Sequence, residues 1–195
     1  MNYELRKNNK NSGFTLVETL IAISIFTTSI LVLMSVLAQG ITSTTYASQK
    51  LTATYLAQEG IEYMRNLRDT YVVYDPTSTQ QGWTAFQTRL KSQVSLCEFN
   101  AGCYFDDSTI VYTNPTTPIE NMSLLSCGNG PCPVLKYDAA TGKYGYSSGV
   151  NSVYTRRITV WPVGNETLVT STVFWTQGSK AYNVSFSENL FNWVE

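Results

Sequence analysis

The chain has 195 residues, enough for one or two domains, and no histidine at any position. The missing imidazole removes Ser-His-Asp and Cys-His catalysis and every His-ligated metal site, although lysine, carboxylate and calcium chemistry stay open. Charged residues make up only 14%, against roughly 25% in ordinary soluble domains, and a net charge of -1 offers no basic footprint for nucleic acid.

The charge is uneven along the chain. Arg6, Lys7 and Lys10 against Glu4 make the first 13 residues locally basic. An apolar run from Phe14 to Ala38 follows directly after Gly13, with Glu18 as its single charge and no Gly or Pro. As a helix these 25 residues would span about 37 Å, and a hydrocarbon core of about 30 Å needs about 20 apolar residues. The run is therefore long enough to cross a bilayer, with the preceding bases on the cytoplasmic side. A secretory signal peptide fits poorly, because its apolar region is shorter and ends at an A-x-A-like site. A simple signal anchor leaves Glu18 unexplained: a carboxylate in the membrane costs up to roughly 2.5–3.5 kcal/mol, less near a helix end. It either snorkels to the surface or has a partner.

The stretch Ser12-Gly13-Phe14-Thr15-Leu16-Val17-Glu18-Thr19-Leu20-Ile21-Ala22 resembles the prepilin processing motif, shared by type IV pilins, minor pilins and the pseudopilins of type II secretion. The resemblance implies cleavage between Gly13 and Phe14 by a membrane prepilin peptidase, then N-methylation of Phe14. It implies that Glu18, fifth in the mature chain, pairs with the N-terminal amine of a neighbouring subunit during assembly. The implied partners are other pilin subunits in a helical filament, the prepilin peptidase, an inner-membrane assembly platform and membrane lipid. No nucleic-acid partner and no cofactor is implied.

Past Ala38, Gly40 and the Thr-rich stretch 41–50 are weak helix formers. Helical spacing then returns, and Leu51, Tyr55, Leu56, Tyr63, Met64 and Leu67 are read as one apolar face, with Glu62 and Arg65 three apart outside it. The helix is expected over 14–68, ending before Asp69-Thr70. Residues 1–13 are then a leader, 14–38 a membrane or filament-core segment, and 69–195 a β-rich extracytoplasmic head. Residues 56–68 also resemble PilV-type minor pilins. Residues 75–82 read as a turn-rich loop, and Trp83, Phe86, Leu90 and Val94 as a short second helix over 83–94.

Strand signals dominate from about residue 95. Val134–Tyr137 and Lys143–Tyr146 flank Asp138–Gly142, a hairpin pattern with Gly in the turn. Thr155–Trp161, Leu168–Trp175 and an alternating 182–186 follow, separated by short Gly-containing turns that imply antiparallel neighbours. The closing Leu190-Phe191-Asn192-Trp193 is apolar enough to cover a sheet edge. The series R-R-I-T-V-W, V-F-W and L-F-N-W loosely resembles PilV-type minor pilins. The expected fold is α+β: a long N-terminal transmembrane helix packed on an antiparallel β-sheet head.

Four cysteines, Cys97, Cys103, Cys127 and Cys132, fall in the head. On the oxidising side of a membrane they would form disulfides. Three connectivities are possible; the sequence-local one, Cys97–Cys103 and Cys127–Cys132, closes two short Gly-containing loops. Four-cysteine zinc is the alternative, at spacings wider than most zinc knuckles. Asp106, Asp107 and Asp138 lack EF-hand spacing and read as exposed turn carboxylates. The sequons at Asn121, Asn165 and Asn183 carry little weight, since the pattern is common by chance. Arg156 and Arg157 are adjacent in an expected strand and so point to opposite faces, which argues against a basic patch.

The reading is a non-enzymatic minor pilin subunit, held in the cytoplasmic membrane before assembly and in a surface pilus afterwards. The alternatives are a type II secretion pseudopilin, an adhesion or DNA-uptake tip subunit, and a membrane-anchored enzyme or receptor.

Overall fold

The computed structural model describes residues 13–74, 78–92, 97, 102–106, 124–128 and 130–192. Val94, Asp107, Asn121 and Trp193 lie outside these residues, as do the bases ahead of Gly13. The chain divides into two compact units, Met1–Ala47 and Ser48–Glu195. A single helix, α1 (Leu16–Tyr74), contributes to both.

In the first unit every side chain from Phe14 to Thr45 is exposed. The weak stretch after Ala38 is nonetheless helical. Thr42, Thr44 and Thr45 turn their hydroxyls back to the carbonyls of Ala38, Gly40 and Ile41 at 2.9–3.0 Å. Their polar groups are thus satisfied without leaving the helix.

In the second unit the rest of α1 lies on an antiparallel sheet. Its buried stripe is Ala53, Leu56, Ala57, Ile61, Met64, Leu67 and Val72, the i, i+3, i+4 spacing of one helix face. Leu51 and Tyr55 are not on it: they stay 56% and 63% exposed. The buried positions centre between Leu56 and Ala57, so Tyr55, a further 100° back from Leu56, lies on the opposite side of the helix.

The helix also runs six residues past Arg68. Its extension is held by tertiary contacts: Val72 is buried, and the Tyr71 ring lies 6.2 Å from Phe86 of the second helix. That helix, α2 (Thr79–Ser92), begins earlier than residue 83. Ser78 caps it, accepting from the Gln81 amide at 3.2 Å through its hydroxyl and from Gly82 at 3.0 Å through its carbonyl. Trp83, Phe86 and Leu90 are its buried face. Gly82 sits against the Tyr71–Val72 backbone, where a Cβ would come within 2.5 Å of the Tyr71 carbonyl oxygen.

Among the described residues seven strands form the sheet: β1 (Cys103–Phe105), β2 (Leu124–Ser126), β3 (Val134–Asp138), β4 (Lys143–Gly145), β5 (Val150–Val163), β6 (Glu166–Gln177) and β7 (Lys180–Phe191). β5 is the hub. It pairs along one edge with β6, which pairs with β7, and along the other with β3 and β1. All pairings are antiparallel. The β5–β6 and β6–β7 turns each place a glycine of positive φ first, Gly164 at 59° and Gly178 at 60°, as two-residue hairpins favour. Strands alternate between a face buried under the helices and an outer face. On the inner side Phe105, Ile158, Val160, Val169 and Leu190 meet Met64, Leu67, Trp83 and Phe86 in one core.

Candidate functional site

The first site residues lie at the start of α1. Gly13 and Phe14 precede the helix, and the Phe14 side chain is 78% exposed. Thr15 is the N-cap: its hydroxyl accepts the Glu18 amide at 3.3 Å, and its carbonyl accepts that of Thr19 at 3.2 Å. Thr15-Leu16-Val17-Glu18 therefore has the T-x-x-E form of a capping box. Glu18 is an exposed acid in the first helical turn, where the helix dipole favours negative charge.

The next charged residue is Lys50. Between the two, the hydroxyls of Thr19, Ser24, Thr27, Thr28 and Ser29 all donate to carbonyls three or four residues back, at 2.7–3.0 Å. A helix so arranged offers a largely apolar surface, with these hydroxyls satisfied internally. It is long and apolar enough to cross a membrane. Glu18 is the one charged side chain in that segment.

The second constellation clamps α1 to the head. Arg156 on β5 points inward and is only 2% exposed. Its guanidinium donates to the Leu56 carbonyl at 3.2 Å and to Glu59 at 2.7 Å, and its Cζ lies 4.0 Å from the centre of the Phe105 ring. Phe105 stacks on Tyr63 with ring centroids 3.7 Å apart. Beside this stack Gly60 passes so close to β6 that an added Cβ would lie 3.0 Å from Ser171 Cβ and closer still to its hydroxyl. Arg157, next in sequence, lies over Phe174 at 5.5 Å on the opposite side of the sheet. Gly60, Glu59 and Phe105 had no assigned role in the sequence reading. The available signal was a glycine inside a helical pattern, which marks close packing when it is not a cap.

Farther along α1, Arg65 bridges Glu62 and Glu188, each at 2.6 Å. The Glu188 hydrogen bond raises the Arg65 pKa. An open groove of about 580 Å³ runs here between α1 and β7, lined by Tyr55, Gln58, Phe186 and these charges.

The cysteines are joined as Cys97–Cys103 and Cys127–Cys132, with Cα atoms 4.7 and 4.5 Å apart. The first bridge is buried in the core. The Cys127 amide donates to the Gly102 carbonyl at 3.1 Å, so the two bridges lie at the same end of the β1–β2 pair. These bonds use the thiolates a zinc site would need. Asp138 is engaged within its turn: Ala140 N–H donates to it at 2.9 Å and the Ser148 hydroxyl at 3.1 Å. The Ala140 bond, with Ser148, holds its carboxyl below the usual range. No group of three metal-ligating side chains occurs among the described residues.

Residues 8–37 match the family model described as a prokaryotic N-terminal methylation motif. No curated protein and no solved structure matches the chain. The motif match supports a type IV pilin-like family, whose members are structural subunits, processed by a prepilin peptidase and assembled with other subunits. It covers the capped start of α1 and most of the apolar segment, and none of the head.

Proposed function

We propose that the chain is a minor pilin: a subunit that enters or primes a type IV pilus through α1 after losing residues 1–13. The observation that carries this reading is the methylation motif lying on a helix whose one charge across the apolar segment is Glu18. Cleavage after Gly13 would free an ammonium at Phe14, one residue before the Thr15 cap. A cation at a helix N-terminus is unfavourable against the dipole, and a carboxylate in lipid is costly. Pairing the Phe14 amine of one subunit with Glu18 of the next removes both unpaired charges and fixes their register. The pair need not stabilise more than an apolar substitute; its contribution is specificity. In lipid the apolar helices associate through van der Waals packing. After extraction, burial of the same surface from water, at roughly 25 cal/mol per Å², drives cohesion.

The head is read as extracytoplasmic, consistent with its two disulfides. The placement among PilV-type minor pilins rests on residues 56–68 and the C-terminal strands. A secretion pseudopilin would carry the same anchor, and capture of the chain in surface pili rather than in a secretion complex separates the two. The test of the assembly mechanism is Glu18→Gln. The variant should be processed, folded and retained in the membrane, while its amount in sheared filaments falls at least tenfold. Incorporation at the native level would remove Glu18 from the mechanism.

A further inference from the structure

β7 is a sheet edge that assembly through α1 does not use. Among the described residues it pairs with β6 alone. It is 12 residues long, contains no proline, and its ladder with β6 runs from Gln177–Lys180 to Glu166–Phe191 without a register shift. A long, regular edge is a template for a further strand unless its charges or a bulge disfavour one. β7 carries two charges, Lys180 and Glu188. Alternation puts both on one face with Tyr182, Val184 and Phe186. This is the side of α1, where Glu188 meets Arg65 and Phe186 packs against the core.

Laid antiparallel on a second copy, with Val184 opposite Val184, this face is its own complement. Lys180 then stands opposite Glu188 and Tyr182 opposite Phe186, and on the other face Ala181 meets Ser187 and Asn183 meets Ser185. Opposite charges and aromatic pairs set directly across from each other are the pairs that stabilise sheets. Each recurs on both sides of the axis, as an isologous contact requires. Moving the centre by one residue, to Ser185, breaks the match, because Lys180 then faces Leu190 and Tyr182 faces Glu188. The surroundings of Glu188 favour an added cation. Arg65 is shared between Glu62 and Glu188, so one guanidinium serves two carboxylates, and Glu59 lines the same groove. Lys180, at the far end of the strand, is exposed.

We propose that β7 is a self-recognition edge, which joins the head to that of a second copy in one continuous antiparallel sheet centred on Val184. A two-fold axis normal to the sheet reverses the strand, so joined heads lie in opposite senses. Subunits of one filament repeat in a single sense. The contact therefore goes beyond assembly through α1: it joins chains that belong to separate filaments.

The test uses the full chain in detergent, spin-labelled at one introduced cysteine. All four native cysteines are in disulfides. Ala181→Cys and Asn189→Cys are exposed positions on the face away from α1, and each variant carries one label. At about 3.4 Å per residue, the proposed register separates the two labels of a dimer by about 20 Å at position 181 and about 34 Å at position 189. A sheet centred on Ser185 would give about 27 Å at both. Lys180→Glu should weaken the association about fivefold with the unfolding temperature unchanged, and high salt should weaken it in the native chain. Any other pair of distances, no measurable distance at the highest concentration, or an association that Lys180→Glu leaves as strong overturns the proposal.

Discussion

Gly60 and Ser171 mark the closest approach of α1 to the sheet, and the sign of a substitution there can be argued. Alanine in a helix interior gains up to about 1 kcal/mol over glycine. Overpacking a tight contact costs about 1–3 kcal/mol, and the added Cβ would meet both Ser171 Cβ and its hydroxyl. Gly60→Ala should therefore destabilise the chain by about 1 kcal/mol in thermal unfolding, and by less in a Ser171→Ala background. Glu59 gives a second test at the same junction. Removing it leaves the buried Arg156 with the Leu56 carbonyl and the Phe105 ring. Glu59 is itself 39% exposed, so its bond is partly screened. Glu59→Ala should cost about 2 kcal/mol and Glu59→Gln less. Equal losses for the two would show that charge, and not the hydrogen bond, holds Arg156.

Elements differ in how far local signals decide them. The strands β3 to β7 were legible because alternation, β-branched residues and Gly turns act locally. The ends of the helices were not. α1 continues past Asp69-Thr70 because Tyr71 and Val72 find partners on α2, and no local signal reports a distant partner. The Ser78 cap of α2 lies inside the stretch 75–82 read as a turn-rich loop, where Pro, Ser and Gly dominate the local signal. The burial of Arg156 was likewise hidden, since alternation separates it from Arg157 without saying which faces inward.

The disulfides offer an element-level prediction. Cys97 and Cys103 are 1% and 0% exposed, whereas Cys127 is half-buried. Thiol exchange needs access, so mild reductant followed by alkylation should label Cys127 and Cys132 first. Simultaneous labelling of all four would mean that the core opens as readily as the loop.

Burial also raises the pKa of Tyr144, Tyr146 and Tyr154 above the ordinary 10.0. Such groups are held neutral in the fold while the unfolded chain ionises. The stability they contribute is present below pH 10 and is lost as pH rises through their folded values. The unfolding temperature should fall above pH 10, with less of a fall in Tyr146→Phe.

At the scale of the whole molecule, the anchor was the most legible part. A basic start, an apolar run and one glutamate at fixed distance from Gly13 are all local in sequence, and the motif match falls on the same residues. The head is long enough to build its own core, and its ligand chemistry is not written in any comparable motif. The account therefore turns on what happens to the N-terminus. The most direct measurement is the intact mass and N-terminal residue of the full chain after co-expression with a prepilin peptidase. Loss of residues 1–13 and a methylated Phe14 is the predicted result. A membrane-bound chain still beginning at Met1, with the peptidase active on a control substrate, would contradict it.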